Sequence, residues 1–417
     1  MNQDTTKDQE KFDTKYEIKA VGLLSLGFGL VGLDRFIINP LFPVMSEELG
    51  LSYQDLGLIS GILALAWGMS SIVSGNLSDR FGSRRVLVVS VVLFSLLVAT
   101  TGLATGLISL LIIRSLMGFA EGGFVPASIV ATINVSHHRR KGLNIGIQQM
   151  AMPFFGLGLG PIIAVWLLAI LPGWEWVFGI VALPGLIVAY LLFHNLKDPA
   201  TEPTELIINK SEQDSKETNF FRQALGHRNI VFATLSMVCF LTCLLVTAAF
   251  MPNYLTDYIG LDMESMSIVL SFLGLGGLVG MIGIPALSDF FGRKNVMVFA
   301  LMIELIFLVI LAQGTKDIGM LSLCLFVISC MNSGVVAVII GPLISETVPI
   351  SIAATATGLV VGLGEIVGGA IAPAVAGAIA ERFGIQIIPH IVLYAVLCGF
   401  VIVCFGIKLV APDETQS

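Results

Sequence analysis

The strongest constraint on this chain is a succession of apolar stretches, each about 20 residues or longer, that fills it almost from end to end. Twelve can be read, the first near residues 20–45 and the last near 387–410. A helix needs roughly 20 apolar residues to cross the hydrocarbon of a bilayer, whereas a barrel strand needs roughly 10 in alternation. The stretches have the first length and lack the alternation, so they predict spanning helices. Hydrophobic residues make up 56% of the chain and charged residues 12%, with a mean hydropathy of +0.92, far outside the range of soluble domains. The expected class is an all-α membrane protein with twelve transmembrane helices.

Basic residues give the orientation. Eighteen of the 22 Lys and Arg residues lie in the amino-terminal segment, the even-numbered connections or the carboxy-terminal end; two lie in opposite loops and two inside spans. Loops rich in Lys and Arg stay cytoplasmic, which predicts a multi-pass protein of the plasma membrane, of the bacterial inner-membrane kind, with both termini in the cytoplasm. The first 19 residues are polar and show no cleavable leader. All six cysteines fall in apolar segments of the second half and are expected to be buried thiols rather than disulfides or metal ligands.

The chain also repeats. The run Gly75 to Arg85 (GNLSDRFGSRR) in the second connection has a partner 210 residues later, Pro285 to Lys294 (PALSDFFGRK). A second anchor pairs the stretch from Pro43 to Leu51 with that from Pro252 to Leu261. Duplicated six-helix units in one orientation imply two halves related by an axis along the membrane normal, with a site at the midplane between them. The expected divisions are an amino-terminal tail 1–19, a first half 20–196, a polar linker 197–228, a second half 229–410 and a tail 411–417. A short helix is expected in the linker near Phe220 to Leu225.

Two spans carry full charges. The first holds Asp34 and Arg35; the fourth holds Arg114 and Glu121, seven residues apart and therefore on one face, roughly 10 Å apart along the axis. A charge at a helix centre costs roughly 2.5–3.5 kcal/mol on insertion scales, so such residues face a cavity and mark function. Guanidinium stays charged at physiological pH and its planar fork matches a carboxylate, which makes Arg35 and Arg114 candidates for binding an anion. Asp34 and Glu121 are the proton candidates, because burial disfavours the charged carboxyl while a neighbouring Arg favours it. The four charges sum to zero, so an anion binds one Arg only if an acid is protonated or displaced. The structural alternative is a paired quartet in which Glu121 or Asp34 holds Arg114.

Gly118 and Gly122 follow Arg114 at intervals of four and predict a close helix crossing. Gln149 and Asn332 are uncharged polar residues in spans and candidates for contacts with substrate hydroxyls. Glu365 lies among Gly362, Gly364, Gly368 and Gly369, a small-residue surface suited to sliding contact, and is a candidate for gating. Glu304 is deep in the ninth span. Hydrolase, zinc-protease and phosphate-loop motifs are absent, so no enzyme activity, metal, cofactor or nucleic-acid partner is expected.

The G-x-L-x-D-R-x-G-x-R-R connection, its weaker copy after the eighth span and the R-x-x-x-G-x-x-x-G of the fourth resemble the major facilitator superfamily over essentially the whole chain. Asp34 and Arg35, followed by Pro40, Pro43 and the run Glu48 to Ser52, together with Arg114 to Glu121, resemble its anion:cation symporter branch, which includes carriers of hexuronates, galactonate and sialic acid. The resemblance implies a monomeric secondary transporter that takes up a small organic anion, a sugar acid or another carboxylate, with protons, by alternating access. It implies a peripheral place for every third helix, which sets Glu304 aside. It further implies that Gly75, Asp79, Arg80, Gly82, Arg84 and Arg85, with Asp289, Gly292 and Arg293, latch the outward-facing state. One feature favours an alternative: Gly156, Gly160 and Pro161 in the fifth span resemble the start of a drug/proton antiporter motif, which suggests a proton-driven exporter of drugs or metabolites.

Overall fold

The computed structural model describes residues 13–137, 140–197 and 223–408, without the side chains of 71–81, 350, 351 and 354. These residues form twelve helical spans. The first half contains α1 (Thr14–Leu49), α2 (Tyr53–Phe81), α3 (Ser83–Thr101), α4 (Leu107–Val135), α5 (Lys141–Ile170) and α6 (Trp174–Asn195). The second contains α7 (Arg228–Ile259), α8 (Met263–Phe291), α9 (Arg293–Ala312), α10 (Ile318–Thr347), α11 (Ile350–Gly364, continuing to Ala372–Phe383) and α12 (Ile388–Gly406). No strand occurs among the described residues. Of the expected linker, 223–226 are helical and most of the rest lies outside the described residues.

Local chemistry fixes the ends. The Asp13 carboxylate accepts the backbone N–H groups of Lys15 and Tyr16, at 3.1 and 3.0 Å, and starts α1. Asp317 does the same for α10 through Met320, at 2.7 Å. At the start of α8 the hydroxyl and N–H of Ser265 hold the Asp262 carboxyl below the usual carboxylate range. Gly50 and Gly260, at φ +65° and +85°, close α1 and α7 in the left-handed conformation that a side chain would resist. Gly82 and Gly292, at φ +82° and +86°, turn α2 into α3 and α8 into α9. Both pairs are 210 residues apart, so the repeat read in the sequence is also a repeat of backbone geometry.

The matched halves share their internal ties. Arg84 at the start of α3 donates to the Phe193 carbonyl at the end of α6, with the Phe193 ring 4.9 Å from its guanidinium. Lys294, its counterpart at the start of α9, donates to the carbonyls of Cys404 (2.7 Å), in the last turn of α12, and Ile407 (2.8 Å), just beyond it. A cation on the last carbonyls of a helix complements its negative end. These ties lie at what we call the basic end of the bundle; the opposite end is the distal end.

The first helix of each half is central. The apolar window of α1 is 83% buried and that of α7 67%, against 33% for α12, so α1 and α7 carry whatever faces the molecular axis. The outer surface displays Phe119, Trp166, Tyr190, Phe299 and Phe405, as a lipid-facing surface should. Cys243, Cys324 and Cys330 are buried, but Cys239 and Cys404 are half-buried and Cys398 is exposed. This corrects the expectation of six buried thiols: α12 turns one face outward, and a thiol is apolar enough to sit there.

Small residues set how closely helices cross. A Cβ added to Gly118 or Gly122 would come within 2.4 and 2.5 Å of the carbonyls of Leu63 and Trp67, so the predicted α4 seam packs on α2. Between the halves, α2 meets α11 where Gly57 and Gly61 face the carbonyls of Pro373 and Ala370. Gly158 of α5 meets Gly274 of α8 backbone to backbone. Helix α5 does not break at Pro153 but widens into a π-helical stretch, Phe154–Leu159, which brings Gly158 to that crossing.

Candidate functional site

Asp34, Arg35, Arg114 and Glu121 come together on the axis, in the wall that the first half turns toward the second. Arg35 and Arg114 line one cleft with Phe36, Asn39, Ile59, Ser60 and Leu63 of the first half and Leu245, Ala249 and Gly369 of the second. Asp34 and Glu121 lie behind it, 2% and 0% exposed.

Arg114 is 1% exposed. Its Nη1 donates to the carbonyls of Asp34 (3.1 Å) and Arg35 (3.4 Å), while Nε and Nη2 have no hydrogen-bond partner. Among the described residues no carboxylate lies within the 4.0 Å of an ion pair, although Asp34 and Glu121 are both within electrostatic reach. Both Glu121 oxygens and Oδ1 of Asp34 are likewise unpartnered. The tightly paired quartet is therefore not what the geometry presents. A buried polar group left unbonded costs about 1–3 kcal/mol, more if charged, so these groups stay together only with further partners supplied.

Arg35 is held differently. Its Nη2 is 3.1 Å from Oε2 of Glu365 on α11, and its guanidinium carbon lies 5.6 and 5.5 Å from the ring centres of Phe36 and Trp67. Neighbouring residues on a helix diverge by about 100°, yet Asp34 and Arg35 are both buried because α1 is enclosed nearly all round.

Other expected residues are placed elsewhere. Asn332 does not line the cleft; its Nδ2 donates to Glu304 at 3.0 Å, and Cys243 donates to the same carboxylate oxygen at 3.4 Å. Gln149 is half-buried, one residue beyond Gln148, which accepts from Thr132 at 2.8 Å. In the basic connections Arg85 is exposed, and Arg293 pairs with Asp289 and, at 2.7 Å, with Glu346 at the end of α10. These contacts, like that of Arg84, stay inside one half. The side chains at Gly75, Asp79 and Arg80 lie outside the described residues.

Three contributors have no mark in the sequence pattern. Asn39, in the second part of α1, donates to the Ala248 carbonyl of α7 at 2.9 Å and lines the cleft. Trp67 covers Arg35. Tyr53, the first residue of α2, closes the distal end: its hydroxyl donates to Asp257 at 2.8 Å and its backbone N–H to Glu381 at 3.0 Å, both on the second half.

Comparison with known proteins adds to this geometry. The profile of the Major Facilitator Superfamily matches residues 24–363 and, in a second match, 246–417. The hexuronate transporter of Bacillus subtilis (strain 168) is 29% identical over 269 residues, which covers 63% of this chain and 62% of that relative, less than two thirds of its length. The sialic acid transporter NanX of Escherichia coli (strain K12) is 27% identical over 387 residues, 90% of this chain and 91% of its own. Among solved structures, a point mutant of the nucleoside transporter NupG superposes with a TM-score of 0.77 at 16% identity, covering 93% of this chain and 99% of its own. A bacterial homologue of the human lysosomal transporter Spinster, inward-facing and occupied, gives 0.76 at 17% identity, with coverage of 94% and 96%. At these identities the structures speak for the fold alone.

Proposed function

The chain belongs to the Major Facilitator Superfamily, a family of membrane carriers rather than enzymes, and from that membership we propose proton-coupled uptake of a small organic anion, a sugar acid or another carboxylate, by alternating access. The observation that carries the proposal is Arg114: a buried cation with two unpartnered nitrogens, beside a cleft that a second guanidinium also lines. Such a guanidinium attracts a carboxylate and repels a cation. The relatives named for hexuronate and sialic acid support the same substrate class.

Charge balance supports the protons. Around the cleft stand two guanidinium groups, Arg35 and Arg114, and three carboxyls, Asp34, Glu121 and Glu365. With every carboxyl ionised the group is already one charge negative. A further anion in a low-dielectric interior is costly unless protons come with it. Asp34 and Glu121 take them, and the proton gradient alone drives the cycle.

The basic end is the cytoplasmic one by the charge rule, so the Tyr53 contacts close the outer face. Rocking the halves apart there, and together at the other end, exposes the cleft to the outside.

The test is uptake by the purified protein in proteoliposomes, with an inward proton gradient, a panel of organic anions outside and mass spectrometry of the lumen. Accumulation of one anion that collapses with a protonophore is the expected result. Gradient-driven exit of preloaded drugs or metabolites, with no anion entering, would replace this reading with the exporter.

A further inference from the structure

The bond between Arg35 and Glu365 joins opposite halves through the middle of the bundle, with side-chain exposures of only 6% and 10%. Its setting is built. The rings of Phe36 and Trp67 stand beside the guanidinium, and Glu365 takes one of its edge nitrogens. One turn further along α11, Gly369 lines the same cleft as both arginines. A Cβ at Gly369 would come within 2.8 Å of Glu365 Oε2 and of Leu245, so the absence of a side chain there keeps the carboxylate's place clear. Across the cleft, Arg114 still has Nε and Nη2 unpartnered.

We propose that Glu365 is an internal stand-in for the transported anion: its carboxylate occupies, in the empty carrier, the seat on Arg35 that the substrate's carboxylate takes. The proposal rests on the anion reading above. Arrival of a substrate carboxylate then expels Glu365 from Arg35. The charged groups on the first-half helices around the cleft are Arg35 and Asp34 on α1 and Arg114 and Glu121 on α4. Around the neighbouring Gly369 stand Leu245 of α7 and Ala64 of α2, and around Gly364 stand Met237 and Leu241 of α7, none of which can pair with a carboxylate. With Arg35 taken by the substrate and Arg114 balanced by Asp34 and Glu121, an ionised carboxylate stranded there is unfavourable, so Glu365 takes a proton from a hydronium ion of the solvent, whose O–H bond breaks to leave water as an O–H bond forms at Oε2. When the anion leaves, that proton returns to water and Glu365 reclaims Arg35. Loading thereby breaks an ion pair between the halves, and unloading restores it.

The test needs no knowledge of the natural substrate. Propionate is a Glu side chain cut free, so it serves as the probe, with propionamide as the uncharged control, in calorimetry on the full chain. Glu365→Ala vacates the seat and is expected to bind propionate at least ~10-fold more tightly than wild type, with no response to propionamide. Glu365→Gln, which keeps the shape and serves if the Ala variant fails to fold, is also expected to bind more tightly. Wild type should take up a proton on binding, read from the dependence of the heat on buffer ionisation, and Glu365→Gln should take up less. Equal affinities in all three proteins, absence of propionate binding to both variants, or unchanged proton uptake in Glu365→Gln would overturn the proposal. Tight propionate binding without gradient-driven uptake of any anion would keep the seat and overturn the symport; the reverse pattern would do the opposite.

Discussion

The two halves repeat each other's backbone and not each other's chemistry. At the 210-residue offset that superposes the glycine turns, Asp34, Arg35, Arg114 and Glu121 of the first half correspond to Leu244, Leu245, Cys324 and Met331 of the second. Leu245 lines the cleft as Arg35 does, from the other side. The first half is thus a charged plate and the second an apolar wall, crossed at that depth by Glu365. Duplication supplies two bodies that can rock. Under the function proposed above, the divergence gives them different tasks, one holding the anion and its protons and the other closing over them.

The comparison breaks most sharply at Arg114. Arg114→Ala removes the unpartnered cation and leaves two acids uncompensated; anion uptake in proteoliposomes should fall about 100-fold or more, with insertion and gel-filtration behaviour intact. Full activity would mean that the charged plate does not bind substrate. Glu121→Gln should lose gradient-driven accumulation about 10-fold or more while substrate exchange stays within about 3-fold. Undiminished accumulation would remove Glu121 from the coupling role. On the apolar wall, Leu245→Ala should raise KM about 5-fold at most, because truncating a side chain against a solvated cleft loses about 1 kcal/mol of contact. An effect as large as that of Arg114→Ala would erase the division of labour.

Smaller effects sharpen it. Tyr53→Phe removes one hydrogen bond between the halves at the distal rim, worth about 0.5–1.5 kcal/mol, so the conformational equilibrium should shift roughly 2- to 10-fold toward opening there, measured by spin-label distances across that end. Glu304→Gln keeps the hydrogen bond from Asn332 on a helix remote from the cleft and should leave uptake within about 2-fold. A large loss there would place a second titrating site in the apolar half.

Much of this was legible in the chain. Apolar length gave the spans, the paired loop motifs gave the halves, and the rule that buried charge faces a cavity gave Arg35 and Arg114. Depth along a helix can be counted; rotation about its axis and the partner it meets cannot. Asn332 and Arg114 are both polar residues well inside their spans, but Asn332 turns to Glu304 within its own half and Arg114 turns to the axis. Glu365 read as part of a sliding glycine surface, and only the placement of α11 against α1 reveals Arg35 as its partner. Tyr53 sits in an ordinary helix-start sequence, and its importance comes from residues 204 and 328 positions away.

For the rocking proposed above, the crossing of Gly158 and Gly274 sets the mechanical advantage. With no side chain on either strand of the contact, nothing interlocks, and one helix can roll on the other like a beam on a knife edge. From Gly158 to Ile170 is about 18 Å at 1.5 Å per residue, so a roll of about 10° swings the tip by about 3 Å. That travel is as long as the 2.8 Å bond between Tyr53 and Asp257. A tilt small enough to leave every helix intact is therefore large enough to unfasten the rim, and a side chain at Gly274, whose Cβ would lie 2.0 Å from the Gly158 backbone, would shorten the stroke without touching the cleft.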